Sequence, residues 1–344
     1  MRAALKSRLV WPIATLVILL IANVIAEPGF LSIRVQDGHL FGSLIDILRN
    51  GAPTVLVALG MTLVIATRGI DLSVGAVVAI SGALAVSVIK DSPTPNDVGT
   101  VLLACLIAVA FAVVLGAWNG LLVAVFGIQP IIATLILLTA GRGIAQLITS
   151  GQILTITSAP YKVIGSGYWL TLPASILIVV AMFVAAAVLT RKTALGMLIE
   201  SVGINPEASR LAGVRSRTTI WTVYIFSGLC AGIAGLMISS NVTAADANSA
   251  GLWIELDAIL AVVLGGTSLA GGRYSLVGSL VGAFVIQTLT TTVYSMGIAP
   301  NVTLVFKAIV VITVCLLQSP AFLGKLRSRR SRRLAPHPKS EVAA

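Results

Sequence analysis

Residues 99–125 read GTVLLACLIAVAFAVVLGAWNGLLVAV and carry no charged side chain. An α-helix of about 20 apolar residues spans the ~30 Å hydrocarbon core of a bilayer, and this run is longer than that. It also lacks the alternation of apolar and polar residues that marks a membrane β-strand. Because hydrocarbon offers no partner to free backbone groups, an exposed run of this kind has to be helical. The stretch therefore predicts a transmembrane α-helix.

The whole chain has the composition of a membrane protein. Its 344 residues are 57% hydrophobic and 10% charged, with a mean hydropathy of +1.03. An ordinary soluble domain is about half apolar and about one quarter charged, so the charge here is too sparse to cover a soluble surface. This composition excludes a soluble enzyme, a disordered chain and a fibrous protein. The sequence predicts an all-α, polytopic bundle of membrane helices.

Ten apolar runs define the predicted transmembrane helices. Besides 99–125 they are 9–26, 52–66, 72–89, 130–149, 171–190, 219–239, 257–270, 275–293 and 302–318. The runs 52–66 and 257–270 are short for a complete crossing. A cleaved signal peptide is the alternative for 9–26, but the usual apolar core of such a peptide is only about 7–15 residues. An uncleaved first helix is the favoured interpretation.

The basic residues predict that both termini are cytoplasmic. With ten crossings, four cations fall outside and seventeen inside, in agreement with the excess of Lys and Arg in cytoplasmic loops. The outer cations are Arg34, Arg49, Lys90 and Lys162, and the acids Asp246, Glu255 and Asp257 also fall in outer connections. We divide the chain into a transmembrane domain, 1–322, and a basic cytoplasmic tail, 323–344. Such a tail suits anionic membrane lipid, and RNA binding is the less favoured alternative.

The largest predicted inner loop, 191–218, contains the segment GINPEASRLAG at 203–213. Asn205 suits the N-cap of a short helix, and Pro206 suits its first position, where no hydrogen bond is lost. Glu207 complements the positive end of the helix dipole, and Gly213 suits the left-handed residue that ends a helix. We predict a helix over 206–212, which is too short to be stable alone. It is either a capped loop helix or a docking element for a cytoplasmic partner.

Two glycine-rich interruptions break apolar stretches, TRGIDLSVG at 67–75 and GGTSLAGGR at 265–273. Three residues in each coincide at an offset of 197, which pairs Gly69, Leu72 and Gly75 with Gly266, Leu269 and Gly272. Corresponding interruptions in two halves of a chain are typical of transport sites. Arg68 is expected at the membrane interface, and Asp71 or Ser73 could cap the next helix, so structural roles are favoured over substrate contact. Gly278 and Gly282 form a GxxxG pattern, which permits close helix contact.

Polar residues inside the predicted spans are candidates for a substrate pathway. A neutral sugar requires amide and hydroxyl partners and an aromatic face. The candidates are Trp118, Asn119, Gln129 and Thr134, together with Asp71, Ser73, Thr267 and Ser268 of the interruptions. The alternative for each is an interhelical hydrogen bond. Arg142 and Lys307 are expected to be paired or to lie near an interface.

Several chemistries have no sequence support. The chain contains no GxxxxGK[ST] phosphate loop, so it does not hydrolyse ATP by that route. It has no Ser-His-Asp set, and its two histidines make a metal or catalytic centre improbable. We therefore predict a protein that is not an enzyme and that binds no cofactor or metal of its own.

Six segments together resemble the ribose-type branch of the bacterial ABC importer permeases. They are GIDLSVG at 69–75, NG at 119–120, PIIAT at 130–134, GINPEASRLAG at 203–213, GGTS at 265–268 and GGR at 271–273. Within that branch the chain looks most like a permease of a galactofuranose importer. The family pattern often has Glu-Ala-Ala where this chain has Glu207, Ala208 and Ser209, and serine is small enough to keep the packing close.

The resemblance implies an importer subunit of the bacterial inner membrane. A second permease chain, identical or related, would pair with it, two ATP-binding subunits would bind below, and a periplasmic sugar-binding protein would dock above. ATP and Mg would be used by the ATP-binding subunit. The helix near 206–212 would be the coupling helix. The coupling residues implied are Gly203, Asn205, Glu207, Ala208, Arg210, Leu211 and Gly213.

Three other functions are weighed against this one. An ion-driven secondary transporter would need an essential acid within the membrane, and only Asp71 lies near that depth. A permease for branched-chain amino acids would change the substrate and keep the mechanism. A membrane scaffold or membrane enzyme is the third, and the missing catalytic constellation counts against an enzyme.

Overall fold

The computed structural model describes residues 9–36, 38–169, 171–297 and 302–318, and within them the fold is mostly helical. The helices are α1 (Val10–Ala26), α2 (Ser43–Ala66), α3 (Val74–Asp91), α4 (Val98–Ala124), α5 (Pro130–Ile148), α6 (Ala159–Ser166), α7 (Ala174–Lys192), α8 (Leu195–Ile204), α9 (Pro206–Leu211), α10 (Ser216–Val242), α11 (Ile254–Leu264), α12 (Leu276–Ser295) and α13 (Thr303–Gln318). Each of the ten apolar runs contains a helix. The predicted basic tail, 323–344, lies outside the described residues.

Seven of the described helices are long and apolar enough to cross a membrane: α2, α3, α4, α5, α7, α10 and α12. Helix α10 lies at the centre and packs against α2, α3 and α4. Residues 54–66 of α2 and 74–83 of α3 are all buried. Helices α4, α5 and α7 instead expose branched apolar side chains, including Leu102, Leu106, Ile132, Ile136, Val180 and Val184. A bundle with a buried centre and an apolar exterior is suited to a bilayer, because lipid tails are themselves apolar.

Short strands depart from the predicted all-α class at the ends of the helices. The pairs are antiparallel: β1 (Arg34–Gln36) with β2 (His39–Phe41), β3 (Leu154–Thr155) with β6 (Ala244–Ala245), and β4 (Tyr168–Trp169) with β5 (Leu172–Pro173). The hydrogen bonds of each pair satisfy backbone groups of a connecting segment. A hydropathy pattern does not predict such short strand pairs. The β3–β6 pair also joins the connection after α5 to the one after α10.

Two of the predicted boundaries are wrong. Helix α2 begins at Ser43 and not near 52, because Asp46 and Arg49 form an ion pair of 3.2 Å one turn apart and lie in the helix instead of in a loop. Helix α11 ends at Leu264 and not at 270, because the chain turns at Gly265 and Gly266, where φ of Gly266 is +84°. At 11 residues, α11 is about 16 Å long and does not cross a bilayer alone.

The segment 246–253 descends into the bundle. Ala245 packs with the C-terminal half of α3, whereas a Cβ added at Gly251 would contact Gly75 and Val78 near the start of that helix. At 1.5 Å per residue along α3, the descent is about 15 Å. Helix α11 therefore begins deep in the protein. The placement of Glu255 and Asp257 in an outer connection is wrong, because both lie in the first turn of α11.

A buried ion pair joins α11 to α13. Lys307 donates to the Asp257 carboxylate over 2.7 Å, and both side chains are largely enclosed. Since a charge in a low-dielectric interior needs a partner, this pair explains why each residue is tolerated within apolar helices. The prediction that Lys307 is paired is confirmed.

The predicted GxxxG contact forms between α11 and α12. A Cβ at Gly278 would overlap the carbonyl oxygen of Gly265, and a Cβ at Gly282 would overlap that of Ala261. The absence of side chains at these positions lets the two helix backbones touch. The contact holds the short α11 against a helix of full length.

Candidate functional site

Helix α9 begins with a complete cap. The Asn205 side-chain oxygen accepts hydrogen bonds from the backbone N–H groups of Glu207 and Ala208, at 3.1 and 3.0 Å. The Ser209 N–H donates to the Asn205 carbonyl oxygen over 3.0 Å, and Pro206 has no N–H to satisfy. Every backbone donor of the first turn is therefore accounted for. The predicted cap is confirmed, and the helix ends one residue earlier than 212, at Leu211.

The end of α9 is also built as the sequence predicts. Gly213 has a φ of +86°, the left-handed conformation that glycine adopts without strain. The N–H of Val214 then donates back to the Ser209 carbonyl oxygen over 2.9 Å. The Ser216 hydroxyl donates to the Pro206 carbonyl oxygen over 3.0 Å, which ties α9 to the first residue of α10. A displacement of α9 therefore acts directly on α10.

The outer face of α9 is charged and open. Arg210 donates to the Glu207 carboxylate with N–O distances of 2.6 and 3.2 Å, and both side chains are about two-thirds exposed. The Arg210 guanidinium lowers the pKa of Glu207, so that carboxylate stays charged at neutral pH. Leu211 is 78% exposed and presents an apolar side chain beside the pair. Within the described chain this face has no covering element.

The sequence does not reveal α8 as a separate element. Helix α8 begins at Leu195 and ends at Ile204. The N–H of Leu195 donates to the hydroxyl of Thr193, which lies just before the helix, over 3.2 Å. Asn205 closes α8 and opens α9 in an extended conformation. The two helices thus share one hinge residue.

Four of the substrate-pathway candidates lie in buried interhelical contacts. The Asp71 carboxylate accepts from the Ser73 N–H and hydroxyl and, over 2.8 Å, from the Ser227 hydroxyl of α10. The Asn119 amide of α4 donates to the Ser73 hydroxyl over 2.7 Å. The Thr134 hydroxyl bonds the carbonyl oxygen of Ile70 over 3.2 Å. The first interruption is therefore held by α4, α5 and α10.

The other candidates are spread over the surface and the second interruption. Trp118 is exposed near the C-terminal end of α4, and Gln129 is exposed directly before the first residue of α5. The buried Thr267 hydroxyl accepts the Ser275 N–H over 3.3 Å, and the exposed Ser268 hydroxyl accepts the Ala270 N–H over 3.2 Å. These contacts shape the turn between α11 and α12. Contact of any candidate with substrate stays a prediction.

A polar face lines α5 where the descending segment packs against it. The Gln146 amide donates to the Asn248 side-chain oxygen over 2.8 Å. Arg142 donates to the carbonyl oxygens of Ala247 and Ala250, at 3.2 and 2.6 Å. Arg142 is therefore partnered by backbone and is not free for a substrate. Sequence reasoning missed Asn248, because a segment that returns into the bundle has no apolar signature.

Comparison with known proteins places the chain in a family. Residues 43–315 match the family described as the permease component of the branched-chain amino acid transport system. The chain belongs to this permease family. The matched range runs from the first residue of α2 into α13, and it includes both interruptions, α8 and α9. The family relationship thus covers every candidate site residue described above, whereas α1, β1 and β2 precede the matched range.

Curated relatives narrow the comparison to sugar permeases. The galactofuranose transporter permease protein YtfT of Escherichia coli is 49% identical over 333 residues, which are 95% of this chain and 96% of that protein. The fructose import permease protein FruF of Bifidobacterium longum is 40% identical over 99% of this chain and 96% of that protein. The ribose import permease protein RbsC of Bacillus subtilis is 37% identical over 89% and 91%. No solved structure gives a significant match to the chain.

Proposed function

We propose that this chain is the membrane-spanning permease subunit of an ABC importer that carries a monosaccharide into the bacterial cytoplasm. The observation that carries the proposal is α9, a capped six-residue helix with an open, charged face in a membrane bundle. A helix of six residues gains little stability from its own hydrogen bonds. A partner bound to its open face would therefore stabilise it. The family match and the sugar permeases among the relatives support the substrate class.

The partner that fits α9 is an ATP-binding subunit below the membrane. That subunit would use ATP and Mg, since this chain has no phosphate loop. When two such subunits close on ATP, the helices tied to α9 would move as rigid bodies and bias the pore between outward and inward openings. A second permease chain, identical or related, would complete the pore, and a periplasmic sugar-binding protein would deliver the sugar.

The proposed topology has ten spans with both termini in the cytoplasm of the inner membrane. The bias of basic residues supports it, and α1 and α13 add two shorter apolar helices to the seven long ones. The tenth crossing would be made by the descending segment 246–253 together with α11. Cysteine labelling tests this topology directly. In a cysteine-free background, Lys162→Cys should react with an impermeant maleimide in intact spheroplasts, and Ala212→Cys should react only in inverted vesicles. Labelling of both positions from the same side would contradict the topology.

We infer that the substrate is a furanose-type monosaccharide. Galactofuranose is the first candidate, because the relative named for it is 49% identical to this chain. The polar face of α5 and the descending segment, with Gln146, Asn248 and Asp246, offers the amide and carboxylate partners that sugar hydroxyls require. We propose that this polar face forms part of the substrate pathway. The other proposed pathway residues are the candidates named from the sequence: Asp71, Ser73, Trp118, Asn119, Gln129, Thr134, Thr267 and Ser268.

Transport of branched-chain amino acids is the second candidate, because the family description names that substrate class. Uptake assays in cells that produce the complete transporter distinguish the two substrate classes, monosaccharides and branched-chain amino acids. We expect accumulation of a monosaccharide that excess leucine does not inhibit. Accumulation of leucine instead, with no response to sugars, would overturn the sugar assignment and leave the ABC mechanism intact.

The experiment that tests the coupling role replaces Glu207 with lysine. Glu207→Lys reverses the charge on the open face of α9, where the lysine would repel Arg210 instead of pairing with it. We expect the variant to insert into the membrane in normal amounts and to lose sugar uptake. Lys162→Glu, a charge reversal on the proposed outer side, is the control and should retain uptake. Unimpaired uptake by Glu207→Lys would count against the proposal.

A further inference from the structure

Three segments that are far apart in sequence meet through their backbones beside α9. They are the turn after α2 (residues 67–73), the turn between α11 and α12 (residues 265–275) and the last residues of α8. The N–H of Gly272 donates to the Ala66 carbonyl oxygen over 2.8 Å. This hydrogen bond joins the second interruption to the last residue of α2, which directly precedes the first interruption. We name the place where the three segments meet the three-way junction.

Arg68 holds the three-way junction together with its side chain. Its Nε donates to the Ala270 carbonyl oxygen over 3.1 Å, and its Nη2 donates to the Ile204 carbonyl oxygen, the last residue of α8. Arg68 has a φ of +65°, a conformation that is uncommon for a residue with a side chain. The surrounding contacts hold it there. One guanidinium thus bonds both other segments at once. Its place at the membrane interface stays a prediction.

Two glycines give the three-way junction its tight fit. A Cβ at Gly203 would overlap the Ala66 carbonyl oxygen, and a Cβ at Gly271 would overlap the Arg68 side chain. Packed contacts of this kind resist gradual deformation, so the segments move together or switch between arrangements. Gly203 and Ile204 directly precede Asn205, the hinge residue shared with α9. Any displacement of α9 therefore reaches the three-way junction within two residues.

We propose that Arg68 is the positioning residue that transmits movement of α9 to both glycine-rich interruptions. The inference rests on the proposed coupling function and adds the route inside this chain. The turn at 67–73 leads into α3, which is bonded to α4 and α10 through Ser73 and Asp71. The turn at 265–275 leads into α12. Through Arg68, one movement below the membrane reaches α3 and α12 together.

The test uses the complete transporter in proteoliposomes, with permease, co-purified ATP-binding subunit and binding protein. It measures sugar uptake and ATP hydrolysis in the same sample. We expect Arg68→Ala and Gly203→Ala to retain the ATP-binding subunit and to hydrolyse ATP. Both variants should consume about tenfold or more ATP per sugar moved. Arg68→Gln, which keeps one side-chain amide donor, is the milder variant and decides the question if Arg68→Ala does not fold.

The control is Arg217→Gln, an exposed arginine of the first turn of α10 that donates to no group in the described chain. It should keep the wild-type ratio of ATP to sugar. Equal losses of assembly and uptake in the Arg68 variants, with that ratio unchanged, would give Arg68 a purely structural role and overturn the inference. A wild-type complex whose uptake does not require ATP would instead overturn the proposed function. The two failures are therefore distinguishable.

Discussion

Removal of the α9 cap is a perturbation whose size can be worked out from the structure. Asn205→Ala deletes the side-chain oxygen that accepts the N–H groups of Glu207 and Ala208. Loss of an N-cap of this type costs about 1 kcal/mol and up to about 2 kcal/mol. A loss of 1–2 kcal/mol lowers the ratio of folded to unfolded α9 about 5- to 30-fold. In a helix of six residues, no other first-turn acceptor compensates.

The consequence is a loss of coupling without a loss of membrane insertion. The cap lies in the loop that we propose to be cytoplasmic, and the bundle core contains none of its atoms. We expect sugar uptake by Asn205→Ala to fall several-fold, in proportion to the lost α9 population, while the amount of protein in the membrane is unchanged. Hydrogen exchange of the α9 amides should accelerate in the same variant.

The controls keep the acceptor and change the rest of the side chain. Asn205→Asp and Asn205→Ser both provide an oxygen that caps a helix well, so both should transport sugar at close to the wild-type rate. Wild-type uptake by Asn205→Ala would refute the reasoning. Equal damage from Asn205→Asp and Asn205→Ala would also refute it, because the effect would then not be due to the cap.

Three further predictions concern the core of the bundle and the charge on α9. Lys307→Met should lower the free energy of unfolding in detergent by about 3–5 kcal/mol, because it leaves Asp257 buried and unpaired. Adding Asp257→Asn to the same chain should recover most of that loss. If the double variant recovers nothing, the pairing is contradicted. Gly282→Ala should lower the melting temperature, since overpacking costs about 1–3 kcal/mol, whereas Gly143→Ala, with no atom near the added Cβ, should not. The lowered pKa of Glu207 means that its pairing is lost only as the pH falls below the usual glutamate range, so retention of the ATP-binding subunit should be constant from neutral pH to about pH 5. A loss near pH 6 that Glu207→Gln abolishes would contradict this assignment.

The features that the sequence predicts well depend on nearby residues. Hydropathy sums over a whole helix, so all ten apolar runs contain helices despite errors at their ends. The short helix α9 could be placed to within one residue because Asn205, Pro206 and Gly213 each follow a local rule of helix ends. The GxxxG pattern of Gly278 and Gly282 indicated that close helix contact is possible there, but it did not identify α11 as the partner.

The features that the sequence did not predict depend on contacts between distant segments. Arg68 bonds carbonyl oxygens 136 and 202 residues away, and a backbone carbonyl has no sequence signature. The descent of 246–253 was missed because its polar residues resemble those of an outer loop. Glu255 and Asp257 were misplaced with it, since the pairing of Asp257 with Lys307 spans 50 residues.

The central claim is that a six-residue helix converts the nucleotide cycle of another subunit into movement of this bundle. It is tested most directly by sugar uptake into proteoliposomes that contain the permease either alone or with its ATP-binding subunit and binding protein. The account predicts uptake only with all components and hydrolysable ATP, and none from the permease alone, with or without an ion gradient. Uptake by the permease alone, in the absence of any nucleotide, would contradict it.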